Sequence, residues 1–424
     1  MSKPAASESR TTNPHALAII LEASETRSII AASDIFDIKG ILLWARNQPV
    51  TADLQRRLMD RPLQAPIESS LMAEDGIRPE TLGAAVAALA GGSGPLAGLL
   101  APRAALLQRA ATGIRLHPVA QLLLSAVETA RPVLFAHAVE AMAVAGALMA
   151  ARESVSEPEV TLAMTAGLLH DIGEMYVAPE FGEADAARSL DVETYRQLVV
   201  HPHVGHLLLK QLTDYPAEVV QAVAEHHERL DGSGYPHRLR DEAISPLGRL
   251  LAVVEEALAA LRAPGATLHH ASVALRVVPH EFDVHLAGPL ATAACALPPM
   301  AARRSIDDLR QRLQRLDNAL RTAPERIEAA VPTPCSEPLR QTVDLVLGLV
   351  QRLREGWNES GLWSVETLDG EHLAEAEAVQ DALRARLLEI GRVARLAITT
   401  GADDDRACVE RLCDILIEGL VRPV

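Results

Sequence analysis

The feature that most constrains the fold of this chain is a concentration of histidines among apolar helical segments. Eight of the 15 histidines lie within one stretch of the sequence. They are His137, His170, His201, His203, His206, His226, His227 and His237. A single histidine on an apolar helix usually has an ordinary structural role. So many titratable side chains beside buried segments indicate a shared binding partner, because burying each side chain without one costs free energy. The fold is therefore expected to bring these segments together around a polar interior site.

Two short motifs place metal-binding side chains next to apolar runs. In AGLLHDIGE, His170 and Asp171 directly follow residues that would be buried, so their side chains should face the domain interior. In HPHVGH, His201 precedes a proline that is well placed to open a helix. Imidazole nitrogen and carboxylate oxygen together suit Zn, Mn or Fe. We expect His203 and His206, which follow on the same helix, to be surface or supporting residues.

A third motif, AEHHERLDGSGYP, is the most specific part of the sequence. His226 and His227 end a helical segment, and a loop with two glycines follows them. Glycine tolerates positive φ and close approach, so Gly232 and Gly234 would allow the loop backbone to approach a ligand.

In this order, the three motifs resemble the HD-GYP family of HD-superfamily phosphohydrolases, whose members hydrolyse the bacterial messenger cyclic di-GMP. The continuation agrees, because LRDEAISPLGRLLAVVEEAL and ASVALRVVPHEFDVHLAGPL resemble the helices that follow the loop in that family. The resemblance implies an all-helical metal-dependent domain over residues 113–298.

The resemblance also implies a set of metal ligands. The matching residues are His137, His170, Asp171, His201, His226, His227 and Glu255. Asp171 would bridge the ions, and Glu255 stands where the family usually has an aspartate. Where some members have a glutamate that holds a third ion, this chain has Val133, so the implied site holds two divalent ions. Fe and Mn are the first candidates, and Zn, Mg and Ni are the others.

Glu174 departs from the family pattern, which usually has a lysine at this position. Four residues after His170 on a helix, Glu174 would share its face and could act as an extra ligand or a general base. It could equally be a solvated residue or a mark of lost activity. The predicted catalytic residues are therefore Asp171 and Glu174.

The loop and one arginine supply the substrate contacts that the resemblance implies. These residues are Gly232, Gly234, Tyr235 and Arg262. Three functions remain open at this point. The first is hydrolysis of cyclic di-GMP. The second is a catalytically inactive module that binds a nucleotide or, through the loop, a signalling protein. The third is hydrolysis of another nucleotide or phosphate ester.

The whole chain should be mainly α-helical. Hydrophobic residues make up 49% of it but aromatic residues only 3%, which favours packed helices. We expect the following organisation: a disordered tail over residues 1–28, a small mixed α/β domain over 29–112, the HD-GYP domain over 113–298 and a helical bundle over 299–424. The last of these, broken near residues 331–338, could form a homodimer.

Charge and hydropathy exclude some functions. A net charge of -16 argues against binding a nucleic-acid polymer, which requires clustered basic residues. The longest uncharged stretch, from Thr81 to Pro102, is interrupted by glycines and a proline and predicts two short helices rather than membrane insertion. The polar N-terminus lacks an apolar signal core, so we expect a cytoplasmic protein.

Overall fold

Helices dominate the computed structural model, as the composition predicts. It describes residues 12–58, 61–177, 199–362, 372–398 and 401–421. These residues divide into two compact units, one ending at His226 and the other beginning at His227. The division falls within residues 113–298, between the two adjacent histidines of the third motif.

Within the described residues, the first unit contains ten α-helices and four short strands. The helices are α1 (Pro14–Ser24), α2 (Ala52–Leu58), α3 (Pro79–Gly91), α4 (Ala97–Leu100), α5 (Ala104–Thr112), α6 (Pro118–Ala130), α7 (Pro132–Met149), α8 (Glu157–Leu169), α9 (His201–Leu212) and α10 (Ala217–Glu225). The strands are β1 (Ile29–Ala31), β2 (Ile35–Phe36), β3 (Leu42–Trp44) and β4 (Leu71–Ala73). β1 pairs with β4 and β2 with β3, both antiparallel, which confirms a small mixed N-terminal region. The two short helices predicted in the uncharged stretch are α3 and α4.

The predicted disordered tail is wrong for part of its length, because α1 lies within it. The Asn13 side chain caps this helix and accepts hydrogen bonds from the backbone N–H groups of His15 and Ala16. Ile19 and Ile20 are buried, and α1 packs against α6. The polar composition of the first residues hid this apolar face. Residues 1–11 lie outside the described part of the chain.

Helices α7 and α8 approach each other closely because glycine stands at their contact. A Cβ atom on Gly167 would lie 2.7 Å from the carbonyl oxygen of Ala141, so no larger residue fits. A Cβ on Gly146 would likewise lie 2.6 Å from the Met164 side chain. Both helices carry buried apolar side chains on all their faces, as expected of helices in a protein core. Among the described residues, α7 alone is long and apolar enough to cross a membrane, and 61% of it is buried in the protein.

A hydrogen bond connects the N-terminal region to the segment after the His-Asp motif. Ile172–Tyr176 forms a 3₁₀ turn, and the Tyr176 hydroxyl donates to Oε1 of Glu68 at 2.7 Å. Burial, followed by the charge of Glu68, raises the pKa of Tyr176 well above its usual value, so this hydroxyl stays protonated as the donor. The turn is thus attached to a residue about one hundred positions earlier.

We predict that Tyr176→Phe lowers the free energy of unfolding by about 1–3 kcal/mol, because the buried Glu68 carboxylate loses its donor. Chemical unfolding followed by circular dichroism measures this change. Arg56→Met is the control, since Arg56 pairs with Asp53 on the exposed surface of α2 and its loss should change stability by less than about 0.5 kcal/mol. Equal effects of the two substitutions would contradict the prediction.

The second unit contains the remaining helices. They are α11 (Pro246–Leu261), α12 (Leu268–Ala274), α13 (Val284–Cys295), α14 (Ile306–Ala330), α15 (Glu337–Glu359), α16 (Leu373–Ala397) and α17 (Asp403–Val421). Helices α14 to α17 form the C-terminal bundle, with a core of mainly leucine, valine and isoleucine side chains. Trp357 is buried there and donates from Nε1 to Asp317 at 2.8 Å. The predicted bundle and its break near residues 331–338 are confirmed; the homodimer stays a prediction.

Candidate metal centre

Five predicted metal ligands meet in the first unit. His137 lies on α7, and His170 and Asp171 directly follow the end of α8. His201 opens α9, and His226 directly follows α10. Four helices thus deliver these side chains from their ends or from their first two turns. All except His137 are almost fully buried.

The Asp171 carboxylate lies between two pairs of histidines. Its Oδ2 atom is 3.4 Å from Nε2 of His137 and 3.0 Å from Nε2 of His170. Its Oδ1 atom is 3.3 Å from Nε2 of both His201 and His226. The Nε2 atoms within each pair are also close, at 3.2 Å for the first pair and 3.0 Å for the second. Each oxygen therefore has its own pair of imidazoles, the arrangement in which a carboxylate can bridge two ions.

Backbone contacts fix the orientation of two of these rings. Nδ1 of His170 lies 2.7 Å from the carbonyl oxygen of Gly167, and Nδ1 of His226 lies 2.7 Å from that of Val223. A carbonyl oxygen can only accept a hydrogen bond, so in both rings Nδ1 carries the proton. In the neutral ring Nε2 then presents a lone pair to the Asp171 carboxylate. Lone pairs that converge on a carboxylate repel it unless a cation lies between them.

The Asp171 oxygens support the same conclusion. Among the described residues, neither oxygen accepts a hydrogen bond of good geometry, although both are buried. Burial alone would raise the pKa of Asp171, but in the metal-free protein a protonated His170 and the close side chains of His137 and His201 outweigh it. The pKa is therefore held well below its usual value, and the carboxylate stays charged. A divalent metal ion would supply the same positive charge to the carboxylate and leave the imidazoles neutral.

The donor atoms also have the right spacing. Asp171, His201 and His226 each offer an atom within 4.8 Å of the others, and so do His137, His170 and Asp171. Asp171 belongs to both groups. These residues could therefore hold metal ions, while the identity and number of the ions remain predictions.

A glycine that the sequence analysis did not consider brings α9 against the His-Asp segment. A Cβ atom on Gly173 would lie 2.1 Å from the carbonyl oxygen of His201 and 2.7 Å from the backbone nitrogen of Gly205. Both are backbone atoms that cannot move aside easily. The glycine two residues after Asp171 thus sets the distance between Asp171 and His201. Its signal in the sequence was its place within the HDIGE motif.

The helical argument for Glu174 is wrong. Helix α8 ends at Leu169, and Ile172–Tyr176 is a separate 3₁₀ turn, so His170 and Glu174 do not share a face of one α-helix. Glu174 is buried rather than solvated. Within the described residues, it belongs to neither group of closely spaced donor atoms. Its predicted catalytic role stays a prediction.

The two other histidines of α9 lie outside the cluster, as expected. His203 is exposed, and His206 is half-buried with Nδ1 3.1 Å from the carbonyl oxygen of Val220. The early part of α9 therefore presents His201 to the interior and His203 to the surface, two residues apart.

The other two predicted ligands lie in the second unit, and both are buried. The ring of His227 stacks on Tyr235, with centroids 4.6 Å apart and an interplanar angle of 23°. Glu255 lies on α11 among apolar residues. Their role as ligands stays a prediction.

The glycines of the loop serve its internal packing. A Cβ atom on Gly234 would lie 2.4 Å from the carbonyl oxygen of His227, and the Tyr235 N–H donates to that oxygen at 3.1 Å. Gly232 has a φ of +79°, which favours glycine. We expected the backbone at Gly234 to approach a ligand closely. In the structure, Gly234 closely approaches the chain's own backbone at His227. Substrate contact by Gly232, Gly234 and Tyr235 stays a prediction.

Glu228, which directly follows His226 and His227, binds the C-terminal end of the loop by hydrogen bonds. Its Oε1 accepts the N–H of His237 at 2.7 Å, and its Oε2 accepts that of Leu239 at 2.9 Å. Burial raises the pKa of Glu228, although these two hydrogen bonds oppose the shift. Sequence reasoning missed this residue. Arg262, the predicted phosphate contact, caps the end of α11, and its role also stays a prediction.

Comparison with known protein families identifies one segment of the chain. Residues 121–281 match the HD domain family, a segment that contains all seven predicted ligands. The resemblance predicted from the sequence is confirmed over this segment, which is an HD domain. No solved structure is significantly similar to the chain.

Individual relatives add detail. The chain is 36% identical over 140 residues to a cyclic di-GMP phosphodiesterase of Pseudomonas aeruginosa, covering 33% of each chain. It is 33% identical over 117 residues to the cyclic di-GMP phosphodiesterase response regulator RpfG of Xanthomonas campestris, covering 27% of this chain and 30% of the relative. A 3'3'-cGAMP-specific phosphodiesterase of Vibrio cholerae is 30% identical over 125 residues, covering 29% of this chain and 26% of the relative. The chain thus spans about a third or less of the length of these relatives.

Proposed function

We propose that this chain is a metal-dependent phosphodiesterase that hydrolyses cyclic di-GMP and thereby lowers the level of this bacterial messenger. The observation that carries the proposal is the Asp171 carboxylate, buried and charged between two pairs of histidines. The relatives named for cyclic di-GMP support the choice of substrate. The proposed ligands are His137, His170, Asp171, His201, His226, His227 and Glu255.

Two divalent ions, Fe or Mn in the first place, would neutralise phosphate charge and lower the pKa of a water molecule. The protein's own contribution is to hold the donors in place before substrate binds. Backbone carbonyls orient His170 and His226, and burial keeps bulk water from the Asp171 carboxylate. Bound cations would also explain how a chain with a net charge of -16 could accept an anionic dinucleotide.

The test is elemental analysis of protein purified without oxygen, with a turnover assay on the same sample. We expect two ions per chain and conversion of cyclic di-GMP to a linear product. Metal without cleavage of any phosphodiester would refute the enzymatic proposal, and a chain without metal would refute the ligand assignment as well.

A catalytically inactive binding module is the second candidate, and Glu174 is the observation that favours it. The family usually has a lysine at this position, and a buried carboxylate in its place brings negative charge near a site for phosphate. An inactive module predicts that Glu174→Lys gains turnover that the wild type lacks. We expect turnover by the wild type, and a Glu174→Lys variant that loses this activity would exclude the inactive module.

Another cyclic dinucleotide is the third candidate, because the Vibrio cholerae relatives are named for 3'3'-cGAMP. Equal amounts of cyclic di-GMP and 3'3'-cGAMP offered to one enzyme sample distinguish the two substrates. We expect a higher kcat/KM for cyclic di-GMP. The reverse preference would retain the metal site and change only the substrate.

A further inference from the structure

One arginine of the C-terminal bundle lies deep in the second unit between two carboxylates. Arg386, on α16, approaches Glu281 with Nε at 2.7 Å and Glu256 with Nη2 at 3.0 Å. The side chain of Arg386 is 17% exposed, and those of Glu281 and Glu256 are 5% and 11% exposed. Buried pairs of this kind retain their geometry because each charge depends on its partner.

One of the two carboxylates lies next to a predicted ligand, and the other belongs to a segment that is hydrogen-bonded to the chain after the second predicted ligand. Glu256 directly follows Glu255 on α11. The backbone oxygen of Glu281 accepts the N–H of Leu230 at 3.0 Å, three residues after His227. Arg386 therefore contacts one segment beside Glu255 and another that holds the chain next to His227.

Arg229 and Phe282 complete the connection. The Arg229 guanidinium lies 4.8 Å from the centre of the Phe282 ring, and that of Arg386 lies 5.6 Å from it. Arg229 is 3.9 Å from Oε2 of Glu256, a longer distance than Arg386 has to the same carboxylate. Arg386 is thus the closer cation for Glu256, and it also pairs with Glu281.

We propose that Arg386 is a positioning residue that sets the relative placement of His227 and Glu255. Through it, metal binding depends on the C-terminal bundle. This inference rests on the proposed function, since it takes His227 and Glu255 as ligands. The bundle then contributes to the site without contributing a ligand.

Two further observations support a fixed position of the C-terminal bundle against the segment that contains Val277 and Glu281. A Cβ atom on Gly356 of α15 would lie 2.1 Å from the carbonyl oxygen of Val277, so two backbone segments meet there without space for a side chain. Burial raises the pKa of Glu281 to about 7, although Arg386 opposes the shift. Without Arg386, the Glu281 carboxyl would take up a proton or move toward water. The segment that contains Glu281 and Phe282 would then shift with it.

The test compares Arg386→Met with Arg395→Met in the full chain by titrating metal-free protein with Mn²⁺. Arg395 lies on the same helix and pairs with Glu410 of α17, so its variant removes the same charge from an ion pair between two helices of the bundle. We expect Arg386→Met to weaken Mn²⁺ binding by about 10–100-fold, the usual effect of losing a residue that supports metal ligands. Turnover at saturating Mn²⁺ should stay within about threefold of the wild type. Arg395→Met should bind Mn²⁺ as the wild type does.

A second variant covers the case in which Arg386→Met does not fold. The double variant Glu281→Gln and Arg386→Met removes the Glu281–Arg386 charges together and leaves Glu256 with Arg229 as its cation, so it should fold and still bind Mn²⁺ weakly. Wild-type affinity in either folded variant, or equal weakening in Arg395→Met, overturns the inference and leaves the proposed function intact. Wild-type protein that binds no Mn²⁺ overturns both.

Discussion

Replacing Asp171 with asparagine is expected to abolish metal binding and lower turnover by at least about a thousandfold, equivalent to about 4 kcal/mol. The substitution preserves shape but removes the negative charge that each carboxylate oxygen presents to a pair of histidines. Because Asp171 belongs to both groups of donor atoms, one change should affect both ions. Elemental analysis and a cyclic di-GMP assay on one sample measure the two effects.

The matched control for Asp171→Asn is His203→Ala. His203 is exposed on α9, two residues from buried His201, so removing its imidazole should leave metal content and turnover at the wild-type level. Loss of metal in the control would mean that ligand assignment by burial is wrong. An Asp171→Asn variant that retains both ions would show that the carboxylate does not bridge them.

The second large effect is expected from Gly173→Ala, which should destabilise the protein by about 3 kcal/mol or more and reduce metal content. The new methyl group would lie 2.1 Å from the carbonyl oxygen of His201, so α9 must move away from the His-Asp segment. That movement carries His201 away from Asp171. Chemical unfolding and metal analysis measure the two consequences.

Gly348→Ala on α15 separates this steric effect from the general effect of replacing glycine in a helix. In the described part of the chain, no atom beyond the neighbouring backbone of its own helix lies within 4 Å of a Cβ atom built on Gly348, which is exposed. Alanine there should stabilise the protein by about 0.5–1 kcal/mol through higher helix propensity. If Gly173→Ala retained wild-type stability and metal, the close packing of α9 would not be what places His201.

Local sequence patterns predicted much of the fold and the site. Apolar spacing indicated the C-terminal helices, and Pro202 indicated the start of α9 next to His201. The resemblance of the histidine and aspartate motifs to the HD-GYP family implied the five side chains that meet in the first unit. The predictions of helices succeeded because each depends on a few neighbouring residues.

Local patterns failed where distant contacts decide the structure. Helix α1 was missed because a short apolar run after polar residues does not by itself predict a packed helix, and its partner α6 lies far along the chain. The placement of Glu174 was wrong because the chain leaves the α-helix after Leu169 and turns beneath α9. That turn requires Gly173 to lie against the backbone of His201, a contact that no local propensity encodes.

The sequence by itself determined that the chain is mainly helical and that histidines and carboxylates lie at the ends of buried segments. Only the tertiary structure decided that Asp171 presents one oxygen to each pair of histidines and that Arg386 reaches the segments beside Glu255 and His227. The physical reason is the range of the forces involved. Helix propensity and apolar spacing act within a few residues, whereas the donor geometry and the buried ion pairs arise from packing between segments far apart in the chain.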